Sequence, residues 1–302
     1  MNGHTHSPPS TRHLKWVLVL TGGFLLVELV GGVLSNSLAL LSDAGHMLSD
    51  VTALSLALVA LTQMKRPPDS RRSFGYRRLE IVSALANGAI LCGVAVVVEF
   101  QAYHRLFQPP QVRAGLMLAV AALGLCVNLV GLALLHDQSR RNMGIRGAFL
   151  HVLGDALGSI GAIAAGLVIR YTGWMRADAI ASFAIGILIL ISGVHLVRES
   201  VHILLEGVPK HIRLPEVESA LKGIGGVIGM HDLHVWRIGS DFDTLTVHLV
   251  VDRVENGPAR KDLARAMLHS RFGIDHCTIE IEGPGEESES GHPGPICERI
   301  DE

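Results

Sequence analysis

The chain has 302 residues, a formal net charge of −2, 49% apolar residues, only 18% charged ones and a mean hydropathy of +0.38. Soluble domains carry about a quarter charged residues, so most of this chain is not built for water. The near-neutral balance excludes a nucleic-acid binder, which would be basic, and four cysteines in so long a chain exclude a disulfide framework.

A helix needs about 20 mostly apolar residues to cross a bilayer. Six runs meet this, at roughly 14–34, 38–62, 79–103, 113–135, 146–170 and 178–203. The first follows a polar N-terminal tail (1–13) and has no small-residue cleavage site, so it reads as a span and not as a removed leader. Lys and Arg accumulate on the cytoplasmic side of a membrane. The loop after the second run holds Lys65, Arg66, Arg71, Arg72, Arg77 and Arg78, and the loop after the fourth holds Arg140, Arg141 and Arg146. The remaining loops offer only Arg105, Arg113, Arg170 and Arg176. This asymmetry predicts an inner (plasma) membrane protein with both termini in the cytoplasm. The reducing cytoplasm would keep Cys277 and Cys297 unpaired.

Composition changes after the sixth run. Residues 209–283 alternate polar and apolar positions and predict helix 214–223, strands 230–238 and 243–251, helix 258–272 and strand 276–282. In the second strand Leu245, Val247, Leu249 and Val251 share one face, and Thr244, Thr246 and His248 the other. Residues 284–302 are acidic and rich in Gly and Pro, a composition expected to stay disordered. The predicted organisation is an all-α, six-helix membrane domain (14–208) followed by a small α+β cytoplasmic domain (209–283).

Ionisable groups at membrane depth cost about 2.5–3.5 kcal/mol or more each, so they mark function. The second run contains His46 and Asp50, and the fifth contains His151 and Asp155. Each pair is spaced by four, which puts both side chains on one helix face. The strings HMLSD and HVLGD form a weak repeat, with small residues around both. Small residues let helices approach closely in lipid. A single such pair is ordinarily a local contact. Two pairs at mid-depth point to a shared metal or proton site, and two imidazoles with two carboxylates suit tetrahedral Zn²⁺. Asp43 reads either as an access-path carboxylate or as a helix-start residue. Glu28 and Glu99 are further acids that could line a pathway, and Asn87 and Asn128 suit hydrogen bonds between helices.

Four ordered motifs carry a resemblance: SLALLSDAGHMLSDV at 37–51, HVLGDALGS at 151–159, LLEGVP at 204–209 and HDLHVW at 231–236. Together they resemble the cation diffusion facilitator family, most closely its bacterial zinc-efflux branch. The resemblance implies a six-helix membrane domain, a cytoplasmic ferredoxin-like domain and a homodimer in the lipid bilayer. It places the transport site on His46, Asp50, His151 and Asp155. It also places cytoplasmic metal ligands on His231 and His248, with a third from His276, Glu280 or Glu282. The chain departs from some relatives in having no His in the loop RRSFGYRR and no His-rich loop after the fourth span.

Metal binding needs neutral imidazole and ionised carboxylate, so it competes with protons. A midplane site opening alternately to the two faces would then exchange Zn²⁺, or other ions such as Cd²⁺, for protons as counter-substrate. The expected function is therefore proton-coupled zinc export through a two-His, two-Asp site between spans two and five, with zinc also a regulatory ion of the cytoplasmic domain. An intramembrane metalloenzyme is disfavoured, because no HExxH string is present. A metal sensor without transport leaves six spans unexplained.

Overall fold

The computed structural model describes residues 11–64, 67–139, 143–239 and 242–285. The chain divides into two compact units: Met1–Pro67 with Ser83–Arg198, and Pro68–Val82 with Glu199–Glu302. His4, His6, Cys297 and the acidic stretch 286–302 lie outside the described residues, as does the side chain of His13. Cys92, Cys126 and Cys277 are free thiols.

The first unit is helical. Its elements are α1 (Thr11–Ser35), α2 (Leu38–Met64), α3 (Arg78–Phe107), α4 (Ala114–Ser139), α5 (Met143–Thr172) and α6 (Arg176–Leu204). Each is 25–30 residues long, enough at about 1.5 Å per residue to cross a hydrocarbon layer of about 30 Å. Large apolar side chains point outward along them: Leu20 is 70% exposed and Leu134 71%. An apolar surface of this extent needs lipid to cover it. The chain is a multi-pass membrane protein.

Among the described residues, five helices have the length and apolarity of a span: Leu18–Ser35, Arg78–Phe107, Ala114–Leu134, Val152–Thr172 and Arg176–Leu204. They support a multi-pass membrane domain. α2 has 27 residues and gathers Ser42, Asp43, His46, Ser49 and Asp50 in its first half.

Interior contacts are made by small residues. Ala39, Ala95, Ala121, Ala162 and Ala165 join Leu40 and Met117 in the buried cluster. α1 packs on α2 and α4, and α5 on α4 and α2. A Cβ at Gly32 of α1 would stand 2.9 Å from the Leu41 side chain, so glycine is what permits that approach. Ser49 of α2 donates a 2.8 Å hydrogen bond to Asn87 of α3.

The turn between α1 and α2 is tied to α6. Asn36 adopts a left-handed φ of 57°, reversing the chain within two residues. The carboxylate of Asp178, 1% exposed, then accepts hydrogen bonds from the Ser37 hydroxyl (2.6 Å) and from the amides of Leu38 (2.7 Å) and Ala39 (3.2 Å). These are orphan donors at the start of α2, which in lipid have no water to turn to. Arg105 lies 3.6 Å from Asp178 and donates a 2.8 Å bond to the Asn36 carbonyl.

The second unit is a small α+β domain: α7 (Leu214–Lys222), β1 (Val227–Gly239), β2 (Phe242–Val251), α8 (Gly257–Met267, extended by a π-helical turn at Leu268–Phe272) and β3 (His276–Glu282). The sheet order is β1-β2-β3, with β1 and β2 antiparallel and β2 and β3 parallel. The parallel pair requires a crossover, and α8 supplies it. Val217 and Leu221 of α7 and Ala264 of α8 pack with Leu245, Val247 and Leu249 of β2 over one sheet face. The loop 68–82 belongs to the same unit. Phe74 meets the rings of Phe242 and His276 at 6.5 and 5.6 Å, Arg77 lies over Phe242 at 4.5 Å, and Arg78 pairs with Glu206 at 2.9 Å.

Candidate metal centre

Strand alternation sends Leu245, Val247 and Leu249 into the core and leaves His248 on the opposite face. In the ladder His231 of β1 faces His248 of β2, and Val250 of β2 pairs with Glu282 of β3. Three strands therefore deliver one ligating side chain each to one patch. The register of β1 shifts just after His231, where Asp232 takes a left-handed φ of 51°. Such a bulge re-aims side chains locally.

Glu282 stands between the two imidazoles. Its Oε2 is 2.8 Å from His231 Nε2, and its Oε1 is 2.6 Å from His248 Nδ1. The two rings are 4.9 Å apart, and one ligand atom from each of the three residues falls within 4.8 Å of the others. The Glu282 side chain is 8% exposed and both histidines are partly covered. Burial opposes the charge on Glu282, but hydrogen bonds from His231 and His248 and their charges outweigh it and hold the carboxyl below the ordinary glutamate range. The centre thus presents one anionic oxygen and two imidazole nitrogens. That donor set fits Zn²⁺, which takes His nitrogen and carboxylate oxygen at about 2.0–2.2 Å. Two further acids border it: Glu280 Oε2 at 3.5 Å from His248 Nε2, and Asp232 Oδ2 at 4.0 Å from His231 Nδ1. His276 is elsewhere, its ring against Phe74 and Phe242.

In the first unit, His46 of α2 and Asp155 of α5 meet at 3.4 Å between Nε2 and Oδ1. Asp50 is partly buried on α2, and the side chain of His151 lies outside the described residues. Glu28 and Asp43 are both buried. The expectation of a two-His, two-Asp metal site between the second and fifth helices, and of export through it, is overturned here. Among the described residues the metal-ligating group is His231, His248 and Glu282, which lies in the C-terminal unit and contains no Asp. The physical reason is spacing. An HxxxD pair sets a helix face but not the gap to the next helix, whereas a β-ladder sets facing side chains about 4.5–5.5 Å apart.

Two polar ties escaped the sequence reading. Asp178 is an ionisable residue inside an apolar run, and that was the signal available. Asp243 receives a paired contact from Arg237 at 2.7 and 3.0 Å and lies 3.1 Å from His211 Nε2. No local spacing announces that cluster.

A multi-pass helical unit followed by a small α+β unit with a metal-ligating face defines a membrane protein that handles metal ions. Residues 14–205 match the cation efflux transmembrane domain, and residues 209–284 match the cytoplasmic domain of cation efflux proteins. The chain belongs to the cation efflux family, the cation diffusion facilitators, whose work is transport and not catalysis. It is 44% identical over 284 residues to the metal cation efflux system protein CzcD of Cupriavidus metallidurans, covering 93% of this chain and 90% of that one. It is 38% identical over 285 residues to the cadmium, cobalt and zinc/H(+)-K(+) antiporter of Bacillus subtilis, covering 93% and 92%. The solved metal-bound C-terminal domain of the CzcD transporter is 38% identical over 24% of this chain and 99% of that structure, with a TM-score of 0.22.

Proposed function

We propose that this protein exports divalent cations of the zinc, cadmium and cobalt group from the cytoplasm in exchange for protons, and that its C-terminal unit binds the same cations as a regulatory site. The observation that carries the reading is the His231, His248 and Glu282 centre in a chain of the cation efflux family. The antiporter of Bacillus subtilis, by its name, handles cadmium, cobalt and zinc against H(+) and K(+), which supports both the cation class and the exchange. The protein acts as a homodimer of six-span subunits in the inner membrane, with both termini in the cytoplasm. The loop charges support that orientation.

In this reading the Glu282 carboxylate and the two imidazoles hold the cation when cytoplasmic metal is abundant. Occupancy replaces the Glu282–His hydrogen bonds with bonds to one ion and stiffens the junction of three strands.

The test is metal flux in vesicles containing the purified chain, with a zinc dye and a pH dye inside. Zinc entry on the cytoplasmic side accompanied by opposite proton movement is expected, with a higher zinc threshold after Glu282→Gln. Absence of zinc movement would refute transport, and zinc movement indifferent to the pH difference would refute exchange.

A further inference from the structure

A cleft of about 450 Å³ opens beside the loop 68–82, wholly within the second unit. Its walls are the loop itself, the first turn of α3 and the end of β1 at Trp236. Arg71, Arg72 and Arg78 line it together with Glu206, so three guanidinium groups meet one carboxylate. Arg78 takes that carboxylate, at 2.9 Å. Arg71 and Arg72 are exposed and form no ion pair among the described residues. Two uncompensated guanidinium groups in one cleft call for an anion. Guanidinium suits phosphate, which it holds through two parallel N–H donors.

The loop is braced from within. Asp69 and Arg72 pair through their backbones in both directions, at 3.3 and 3.1 Å, and the Asp69 carboxylate accepts the Arg71 amide at 2.8 Å. The Tyr76 hydroxyl donates to the same carboxylate at 3.1 Å. Arg72 donates to that hydroxyl at 3.2 Å, and its guanidinium lies 4.7 Å from the centre of the Tyr76 ring. Gly75, at a left-handed φ of 69°, closes the turn with a 2.9 Å bond to the Arg72 carbonyl. Arg72 is therefore fixed before a ligand arrives, which lowers the ordering cost of binding.

Apolar groups complete the cleft: Phe74, Leu79 and Val82 line it and are exposed. Basic groups beside exposed apolar ones fit an amphiphile better than a bare anion. Chain position names the source. Arg78 is the first residue of a helix long and apolar enough to cross a membrane, so the residues of this cleft adjoin the lipid–water boundary. Arginines clustered beside a spanning helix attract anionic lipid. We propose that the cleft binds the headgroup of an anionic phospholipid, with Arg71 and Arg72 on the phosphodiester and Phe74, Leu79 and Val82 against the glycerol and upper acyl chain. This holds whatever the direction or coupling of transport.

The test is native mass spectrometry of the full chain, purified in an uncharged detergent and titrated with phosphatidylglycerol or phosphatidylcholine. Wild type retains phosphatidylglycerol at least about tenfold more tightly than phosphatidylcholine, and Arg71→Gln combined with Arg72→Gln removes the preference. Arg71→Gln alone lowers it about fivefold, and its guanidinium takes no part in bracing the loop, so this variant keeps the fold. Arg265→Gln removes the same charge from an exposed position on α8 and leaves the preference unchanged. Equal retention of the two lipids by wild type overturns the proposal. So does a preference that survives the double substitution, or one that falls as far in Arg265→Gln. Inorganic phosphate should not displace the lipid; displacement at equal concentration would make the cleft a free-phosphate site and overturn the lipid assignment.

Discussion

The carboxylate of Asp178, at the start of α6, accepts a 2.7 Å hydrogen bond from the backbone amide of Leu38, at the start of α2. With the Ser37 and Ala39 contacts it forms a helix cap supplied from 140 residues away in sequence. A side-chain cap is worth about 0.5–2 kcal/mol. Asp178→Ala also strands the Arg105 guanidinium, so its cost lies at the upper end of that range. The melting temperature of the detergent-purified protein should fall for Asp178→Ala and fall less for Ser37→Ala. Equal melting of all three would show that the cap is not stabilising.

Removing one ligand from the C-terminal centre should weaken zinc binding strongly. Even outer partners of metal ligands are worth about 10–100-fold in affinity, so loss of Glu282 or His248 costs at least about tenfold. Calorimetric titration of the full chain with zinc checks this for Glu282→Gln and His248→Ala. His276→Ala, whose ring packs on Phe74 and Phe242, leaves the affinity unchanged.

The direction of the Glu282 shift sets a pH dependence. Its carboxyl is held below the ordinary glutamate range, so it is ionised throughout the neutral region and gives up no proton to an arriving metal there. Metal binding to imidazole nitrogen competes with protons, so affinity falls as the solution is acidified. In the metal-free chain the sign is that of a depressed acid. Stability from Glu282 is present above the ordinary glutamate range and is lost as pH falls through its lower folded value. Glu282→Gln should flatten that acid limb in thermal melts recorded against pH.

Phe74 secures the loop 68–82 to the sheet of its own unit through Phe242 and His276. Aromatic pairs contribute about 0.5–1.5 kcal/mol beyond their buried area. Phe74→Ala should therefore speed tryptic cleavage after Arg71, Arg72 and Arg77. A cleavage rate equal to wild type would show the loop is held by other contacts.

Long apolar runs and strand alternation were legible because they repeat with the period of the element that buries them. The helices of the first unit, the faces of β2 and the charged loop at 71–78 could all be read in this way. The run at 38–62 shows where the reading stops. Its polar residues were visible one by one, but not that Ser49 meets Asn87 of α3 or that Asp178 caps the start of the helix. The third ligand was equally undecided, because His276, Glu280 and Glu282 share a strand parity and only the parallel register of β3 on β2 brings Glu282 between the histidines.

By itself the sequence determined that this chain lives in a membrane, carries a small α+β unit at its C-terminal end and places ionisable groups at membrane depth. Hydropathy, alternation and charge are properties of short windows, so one dimension suffices for them. Only the tertiary structure decided that His231, His248 and Glu282 converge and that Asp178 caps α2. Those are distances between windows far apart in the chain, and packing alone sets them.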